Sequence, residues 1–299
     1  MVAVGLYSLG STLIMGQQNI HYFPGHMSKA LDAMQGYVKS VDLIVEIVDG
    51  RAPLSSRNPL LKGLAGQKPI LLLLSKSDYA DPAVTESWIQ YFSSQGQEAI
   101  SGNLKKDRFV DLLSKAAEPL VIKKREKEKK HGMMPQPIRV MIVGIPNVGK
   151  STLINNLAEK KKAKVGNKAC VTRAAQWIKL NADFVLLDTP GILPMSYPTR
   201  EQAVRLALLG TMKEEVLPTL ELSYSLLDFL KIAYPSSLFS RFGIENIASM
   251  DNDSILVRIA QRRLLLDGSQ PSIDKAAYLL VKEFKDGVLG RLSLERPRA

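Results

Sequence analysis

One cysteine, Cys170, and three histidines are all that 299 residues offer to disulfide or soft-metal chemistry. A lone thiol closes no internal disulfide, and so thin a set builds no zinc cluster. The chain fits a reducing compartment, and a cytoplasmic location is expected. Long apolar runs are missing too. The longest, such as 70–74 (ILLLL), have the length of strands, whereas a membrane span needs about 20 residues. Residues 1–16 carry no charged side chain. Without a basic leader or arginines they read as a loose extension, or as sequence ahead of a start at Met15, with a targeting role as the alternative.

Acidic residues are in short supply: 29 Asp and Glu stand against 40 Lys and Arg, a net charge of +11. That surplus points to a polyanionic partner. It is unevenly placed. Residues 200–299 hold 14 basic and 13 acidic side chains, whereas 1–199 hold 26 and 16. Two runs, KKREKEKK at 123–130 and KKKAK at 160–164, carry much of the excess. Each is read either as a solvated linker or helix end, or as a nucleic-acid contact.

What is abundant is strand-sized apolar sequence. LIVEIV (43–48), ILLLL (70–74), EAI (98–100), IRVMIV (138–143), QWIKL (176–180) and FVLL (184–187) alternate with helical patterns. Apolarity that is continuous rather than alternating implies strands covered on both faces, as in a parallel α/β sheet. A helical stripe at Met27, Ala30, Met34, Val38 and Val41 precedes them. Beyond Pro198 the spacing is helical throughout: Leu222, Leu226, Phe229 and Leu230, then Ile255 and Ile259, then Ala276, Leu280 and Phe284. The predicted organisation is an extension over 1–18, an α/β domain over 19–197 and an all-helical domain over 198–299.

GIPNVGKST (144–152) follows the strand IRVMIV and opens the helical STLINNL. This is the strand–loop–helix context of a phosphate-binding loop. Gly144 and Gly149 let backbone N–H groups face phosphate, helped by the helix start. Lys150 supplies a point charge, Ser151 offers a hydroxyl to magnesium, and Val148 and Thr152 complete the predicted contacts. FVLLDTPG then gives Asp188, a carboxylate for the magnesium shell, and Gly191, whose N–H can sense a γ-phosphate. Thr172 is the only hydroxyl in ACVTRAAQW (169–177). It is read as closing the magnesium shell or as a plain loop residue.

Upstream, LLLLSKSD (71–78) ends in what looks like an altered Asn-Lys-x-Asp element. The Asp78 carboxylate matches the paired N1–H and N2–H donors of guanine, which adenine lacks. Lys76 can lay its stem along a base. ISGN (100–103), with Ser101, Gly102 and Asn103, ends the next strand and can offer a backbone N–H to the guanine carbonyl. Alone, SKSD also reads as an ordinary turn. A doubly wound sheet nevertheless gathers its strand ends at one crevice whatever the chain order.

The order guanine motif, phosphate loop, switch threonine, DTPG resembles the circularly permuted GTPases. HYFPGHM (21–27), DGRAPLSSRNP (49–59), GIPNVGKSTLINNL and GRLSLE (290–295) together resemble the ribosome biogenesis GTPase A family. The resemblance implies GTP and GDP as ligands with Mg2+, and a role in large-subunit assembly. It also implies a helical C-terminal domain contacting rRNA, and a monomer without membrane attachment. It assigns Asn147 to a potassium ion. Ile192 stands where Ras-like enzymes carry a water-orienting glutamine, and the resemblance brings His26 near the switches as the replacement catalytic group. Its alternative is a helix cap. Three departures stand out: Ser75 replaces Asn, Gly50 replaces Ala, and Ala169-Cys170 replaces Pro-Gly. The competing readings are a P-loop ATPase and a nucleotide-latched RNA-binding module with negligible turnover.

Overall fold

The computed structural model describes residues 35–157, 176–188, 199–212 and 217–297. The site residues predicted above are therefore only partly covered: His26, Thr172 and Gly191 lie outside the described residues. So do the 160–164 basic run, Ala169-Cys170 and Ile192. Two compact units form, one containing the described residues up to Asp188 together with Glu295, the other running from Thr199 to Leu294.

The first unit is built on a six-stranded sheet of order β3-β2-β1-β4-β6-β5. The strands are β1 (Leu43–Asp49), β2 (Ile70–Ser75), β3 (Ala99–Ser101), β4 (Ile138–Val143), β5 (Gln176–Lys179) and β6 (Phe184–Asp188). β3, β2, β1, β4 and β6 run parallel, as the continuous apolar runs required. β5 is the exception, an antiparallel edge strand on β6. Its one-sided burial explains how Trp177, read as interior sequence, comes to be exposed.

Both alternating sets of β1 are buried: Leu43, Val45 and Ile47 on one side, Ile44, Glu46 and Val48 on the other. Neighbouring strands add Leu71–Leu74 and Val140–Val143 to these layers. Helices α1 (Leu61–Ala65) and α2 (Pro82–Ser94) cover one side, together with the helical residues 35–40. There Val38 and Val41 pack on Ile44 and Met141, and Trp88 and Phe92 pack on Val48 and Leu72. α3 (Phe109–Ala117), α4 (Ile122–Lys130) and α5 (Lys150–Leu157) complete the unit. The KKREKEKK run is thus a helix and not a linker. Glu128 is buried within it, held by Arg125 at 2.8 Å.

Glu46 is a carboxylate at the centre of an apolar strand, fully buried, and it is satisfied locally. Arg57 reaches it at 2.7 Å and the Asn58 N–H at 2.9 Å. A second buried carboxylate comes from the chain's far end. Glu295 accepts N–H bonds from Leu54 (2.8 Å) and Ser55 (3.0 Å) and a hydroxyl bond from Ser55. Its own carbonyl accepts the Trp88 Nε1–H at 3.2 Å. One residue therefore clasps the loop after β1 to helix α2.

The second unit packs α6 (Arg200–Leu208), α7 (Thr219–Ala233), α8 (Pro235–Phe242), α9 (Asn252–Arg263) and α10 (Ile273–Lys285). The predicted stripes form its core, with Leu226, Leu230, Ile255, Ile259, Ala276 and Leu280 buried. It is not wholly helical. Leu266–Asp267 and Gln270–Pro271 pair as a short antiparallel ladder, turned at Gly268, which takes φ +59°.

The Glu295 clasp has a measurable consequence. Glu295→Ala leaves the buried Ser55 N–H without its acceptor, at a cost of about 2–3 kcal/mol. Amide hydrogen exchange across residues 52–58 should accelerate accordingly, with Glu295→Gln intermediate. Unchanged exchange in the alanine variant would show that the clasp contributes nothing.

Candidate functional site

The sheet order reverses between β1 and β4, and ligands of doubly wound sheets sit beyond the strand C-termini at such a switch point. Every predicted motif that the structure describes leaves the sheet at that edge: Asp49 ends β1, Ser75 ends β2, Ser101 ends β3 and Asp188 ends β6. The phosphate loop follows β4. The Asp188 backbone is in register with Ile142 of β4, so the DTPG element starts beside that loop.

The phosphate loop has the expected backbone. Asn147 takes φ +62° and Gly149 φ +108°, regions that side chains with a Cβ rarely enter. A Cβ on Gly149 would also stand 2.7 Å from Leu104 Cδ1, so this position needs glycine twice over. Lys150 opens helix α5, with its Nζ 3.1 Å from the Gly144 carbonyl and 3.4 Å from that of Ile145. Its ammonium is thereby folded over the loop. Ser151 and Asn147 are exposed, and the Val148 side chain is buried. Any Val148 contact with a ligand would come from its backbone.

On the other side of the edge, the 76–79 turn is closed by the Tyr79 N–H on the Lys76 carbonyl at 2.9 Å. Asp78 lies in that turn, three residues past the end of β2. It is exposed, and among the described residues its carboxylate has no hydrogen-bonding or ion-pair partner. Lys76 adopts φ +54°, a strained choice for a lysine, costing about 1–3 kcal/mol. A buried carboxylate compensates. Asp49 receives Lys76 Nζ at 2.8 Å and the Arg51 guanidinium at 2.9 Å. Burial alone would raise the Asp49 pKa, but Arg51 and Lys76 overcome it and hold the carboxyl well below its usual range. Arg51 is itself buried and stacks over the Tyr79 ring at 5.6 Å. The DGRAP loop thus acts as a brace under the guanine-type motif.

These two halves share one cleft. A cavity of about 80 Å³ is lined by Lys76, Asp78, Tyr79, Asn103, Leu104, Lys105, Gly149 and Thr152. Residues far apart in the chain, Asp78 and Asn103 on one side, Gly149 and Thr152 on the other, therefore face a common space. Two side chains tie the halves together. Ser75 Oγ lies 2.6 Å from the Val148 carbonyl and 2.8 Å from the Val48 carbonyl, sharing its one proton between them. Ser75 stands where the family has an amide, and its hydroxyl still braces the phosphate loop. A shorter side chain still spans the gap. The second tie was not read from sequence: Asn156 Nδ2 on α5 donates to the carbonyls of Leu104 (3.1 Å) and Asp107 (3.0 Å).

The ISGN element also needs refinement. The Gly102 N–H is committed to the Leu74 carbonyl at 3.1 Å, and the Asn103 N–H to Asp107 at 2.7 Å. Asn103 Oδ1 caps the Lys105 N–H at 2.9 Å. The N–H of Leu104, one residue beyond the motif, has no acceptor among the described residues, and Leu104 lines the cleft. Gly50, the other departure from the family pattern in this region, donates to the Ser75 carbonyl at 2.8 Å. A Cβ on Gly50 would sit 2.7 Å from that oxygen. The substitutions at 50 and 75 are therefore neighbours, and an alanine at 50 would force β1 and β2 to shift.

Comparison with known proteins agrees with this geometry. The family described as "50S ribosome-binding GTPase" matches residues 139–223. Ribosome biogenesis GTPase A of Bacillus cereus is 39% identical over 93% of this chain and 94% of its own length. Mitochondrial ribosome-associated GTPase 1 of Bos taurus is 33% identical over 94% of this chain and 90% of its own. The GNP-bound YlqF structure from T. maritima shares 29% identity at a TM-score of 0.63, covering 90% of this chain and 99% of that one. A GDP-bound structure of the same protein gives the same score. With a permuted sheet order that still brings the two nucleotide motifs to one cleft, the chain belongs to the ribosome biogenesis GTPase A family of circularly permuted GTPases.

Proposed function

We propose that this GTPase acts in the cytoplasm as an assembly factor for the large ribosomal subunit, binding its precursor and rRNA as a monomer when loaded with GTP. The observation that carries the reading is the shared cleft, where the unpaired Asp78 carboxylate and the phosphate loop face one space. Its relatives' names supply the ribosomal setting. Among the described residues no helix is long and apolar enough to cross a membrane.

In this reading guanine pairs with the Asp78 carboxylate and lies along the stem of Lys76, whose ammonium Asp49 holds aside. The base carbonyl takes an N–H from the turn after Ser101, where Leu104 offers one. Lys150 and the N–H groups of 147–152 take the phosphates. Ser151, Thr172 and Asp188 would hold Mg2+, which supplies charge neutralisation between the β- and γ-phosphates. The exposed Ser151 hydroxyl at the start of α5, and the Asp188 backbone beside β4, fit that donor set. Asn147, on the exposed crest of the loop, suits a K+ ligand. Gly191 senses the γ-phosphate, and His26 orients the attacking water in place of the glutamine absent at Ile192. The helical unit from Thr199 onward supplies the rRNA contacts. Arg263, one of the cations available there, already lies 3.9 Å from Glu283, so Arg262, Lys275 and Lys282 carry more of the expected contact.

Sedimentation with large-subunit precursors tests the ribosomal role. Co-sedimentation is expected with a non-hydrolysable GTP analogue and is expected to fall with GDP; equal behaviour in both states, or none in either, overturns it. Hydrolysis with precursors present tests the catalytic assignments. The rate should drop by about 10²-fold or more in His26→Ala, the scale of a positioned proton-handling group, and should be higher in K+ than in Na+. An undiminished His26→Ala rate removes that residue from the mechanism, and equal rates in the two salts remove the potassium ion.

Ser75 gives a third test. An amide there carries two donors and can satisfy the Val48 and Val148 carbonyls together, where the hydroxyl has one proton for both. Ser75→Asn should tighten GDP binding by about 1 kcal/mol, one hydrogen bond's worth. Titration showing unchanged or weaker affinity would refute the argument.

A further inference from the structure

A second cavity of the first unit lies away from the nucleotide cleft. About 730 Å³ of space opens at the opposite edge of the sheet, beside Asp42, Pro137 and Arg139 at the N-terminal ends of β1 and β4. That volume is within the roughly 300–1,000 Å³ of ligand sites in general, and the guanine-type cleft accounts for none of it. Its remaining walls are helix α4, the segment after it, and the edge strand β5.

Three features of the wall bear on what it accepts. First, Trp177 on β5 is 47% exposed. The chain has two tryptophans, and the other, Trp88, is fully buried against Phe92. An indole left open on an edge strand presents a stacking face, and Met133 beside the cavity is similarly exposed. Second, the fixed charges are organised in tiers. Asp42 is held by Lys124 at 2.7 Å and by Arg139 at 2.9 Å. Burial alone would raise the Asp42 pKa, but hydrogen bonds from Arg139 and Lys124 bring it down to about 2. The floor is therefore a neutralised scaffold. Lys127 stands above it with no carboxylate partner among the described residues, on a helix carrying six basic residues against two acidic ones. Third, His131 is oriented. Its Nδ1 donates to the Lys127 carbonyl at 2.7 Å, which turns Nε2 away from that bond as a further polar group at the rim.

An open aromatic face beside an unpaired cation is a combination that suits single-stranded nucleic acid, whose binding sites stack bases on the ring and meet phosphates with Lys and Arg. An acidic peptide would use the cations but not the indole face. We infer that this cavity is a single-stranded RNA site on the GTPase unit, stacking an unpaired base on Trp177 and placing its phosphate against Lys127. The inference rests on the proposed ribosomal role and deepens it. It assigns RNA contact to the nucleotide-binding unit itself, at the edge of the sheet remote from the nucleotide. It also gives the 123–130 basic run, unused by the nucleotide chemistry, a definite place.

The test uses the full-length chain and a short unstructured, dye-labelled RNA oligonucleotide, with affinity read by the anisotropy of the dye and stacking by tryptophan fluorescence. Trp88 is shielded, so quenching reports Trp177. Wild type should quench and bind in a salt-dependent way. Trp177→Leu should bind about tenfold more weakly, the scale of one lost base stack, while Trp177→Phe retains most of the affinity. Lys127→Ala should reduce the salt slope by about one. GDP affinity should be unchanged in all three, which also shows that they fold. Equal RNA affinity in wild type and Trp177→Leu overturns the inference, as does quenching by an acidic peptide but not by RNA. Failure of the ribosomal reading looks different: wild type then does not sediment with precursors at all, whatever the oligonucleotide does.

Discussion

The buried carboxylate of Asp49 is the fixed point of the base side of this site. It sits at the end of the central strand, fully excluded from water, and is kept ionised by Arg51 and Lys76. Removing one partner from such a pair strands a charge in a low-dielectric interior, typically at about 3–5 kcal/mol. That cost makes the geometry around it well defined. Lys76 is drawn into a left-handed backbone conformation, the turn through Asp78 follows from it, and the carboxylate of Asp78 is left facing the cleft. The DGRAP loop is shaped by the same group, because Asp49 also accepts the Arg51 N–H at 3.0 Å. Its own N–H rests on Ser56 Oγ at 2.9 Å. The exposed carboxylate proposed for base recognition is thus positioned by a buried one.

Around that point three ties replace chain continuity. Ser75 joins the guanine-type motif to the phosphate loop, Asn156 joins the helix after the phosphate loop to the turn after β3, and Glu295 joins the chain's end to the loop after β1. Each crosses a long sequence separation and each ends on backbone. Backbone carbonyls and amides are present whatever the residue, so such ties tolerate permutation of the chain better than side-chain pairs would. The neighbouring departures at Gly50 and Ser75 fit this view. A smaller residue just after β1 and a smaller one ending β2 meet at one backbone hydrogen bond, and the brace to the phosphate loop runs through a hydroxyl.

The parts legible in the sequence were those whose signal is local. Continuous apolar runs gave the strands to within a residue or two, and the phosphate loop announced itself because its glycines, lysine and hydroxyl are consecutive. The turn that carries Asp78 just after β2 was legible for the same reason. β5 was misread as interior because QWIK holds apolar and polar residues in numbers that suit either a covered strand or an edge; pairing on one side only decides it. The 123–130 run was ambiguous because charge composition does not separate a solvated linker from a helix whose Glu128 is buried against Arg125. Asn156, Glu46 and Glu295 were invisible for a different reason. A polar residue's partner is defined by the fold, and nothing within a few residues of Asn156 distinguishes it from Asn155.

The two ends of the cleft have different tasks. Base and ribose are common to GTP and GDP, so the proposed contacts at Asp78 and Lys76 would contribute equally to both and could not by themselves shift a conformational equilibrium. A rigid base side, clamped through Asp49, Ser75 and Asn156, is suited to supplying affinity and a fixed reference frame. Any dependence of ribosome binding on nucleotide state must arise where the ligands differ, at the γ-phosphate, on the side of the proposed Thr172 and Gly191 contacts. Permutation has a direct consequence here. The DTPG element begins at Asp188 and the first helix of the second unit begins at Arg200, so the segment between them leads from the proposed γ-phosphate contact into the proposed RNA-binding unit. In the unpermuted order, the guanine motif would intervene. Moving that motif ahead of the phosphate loop leaves the shortest covalent path from hydrolysis to the helical unit, and the strength of coupling along it is bounded by the difference in γ-phosphate contact energy between the two states.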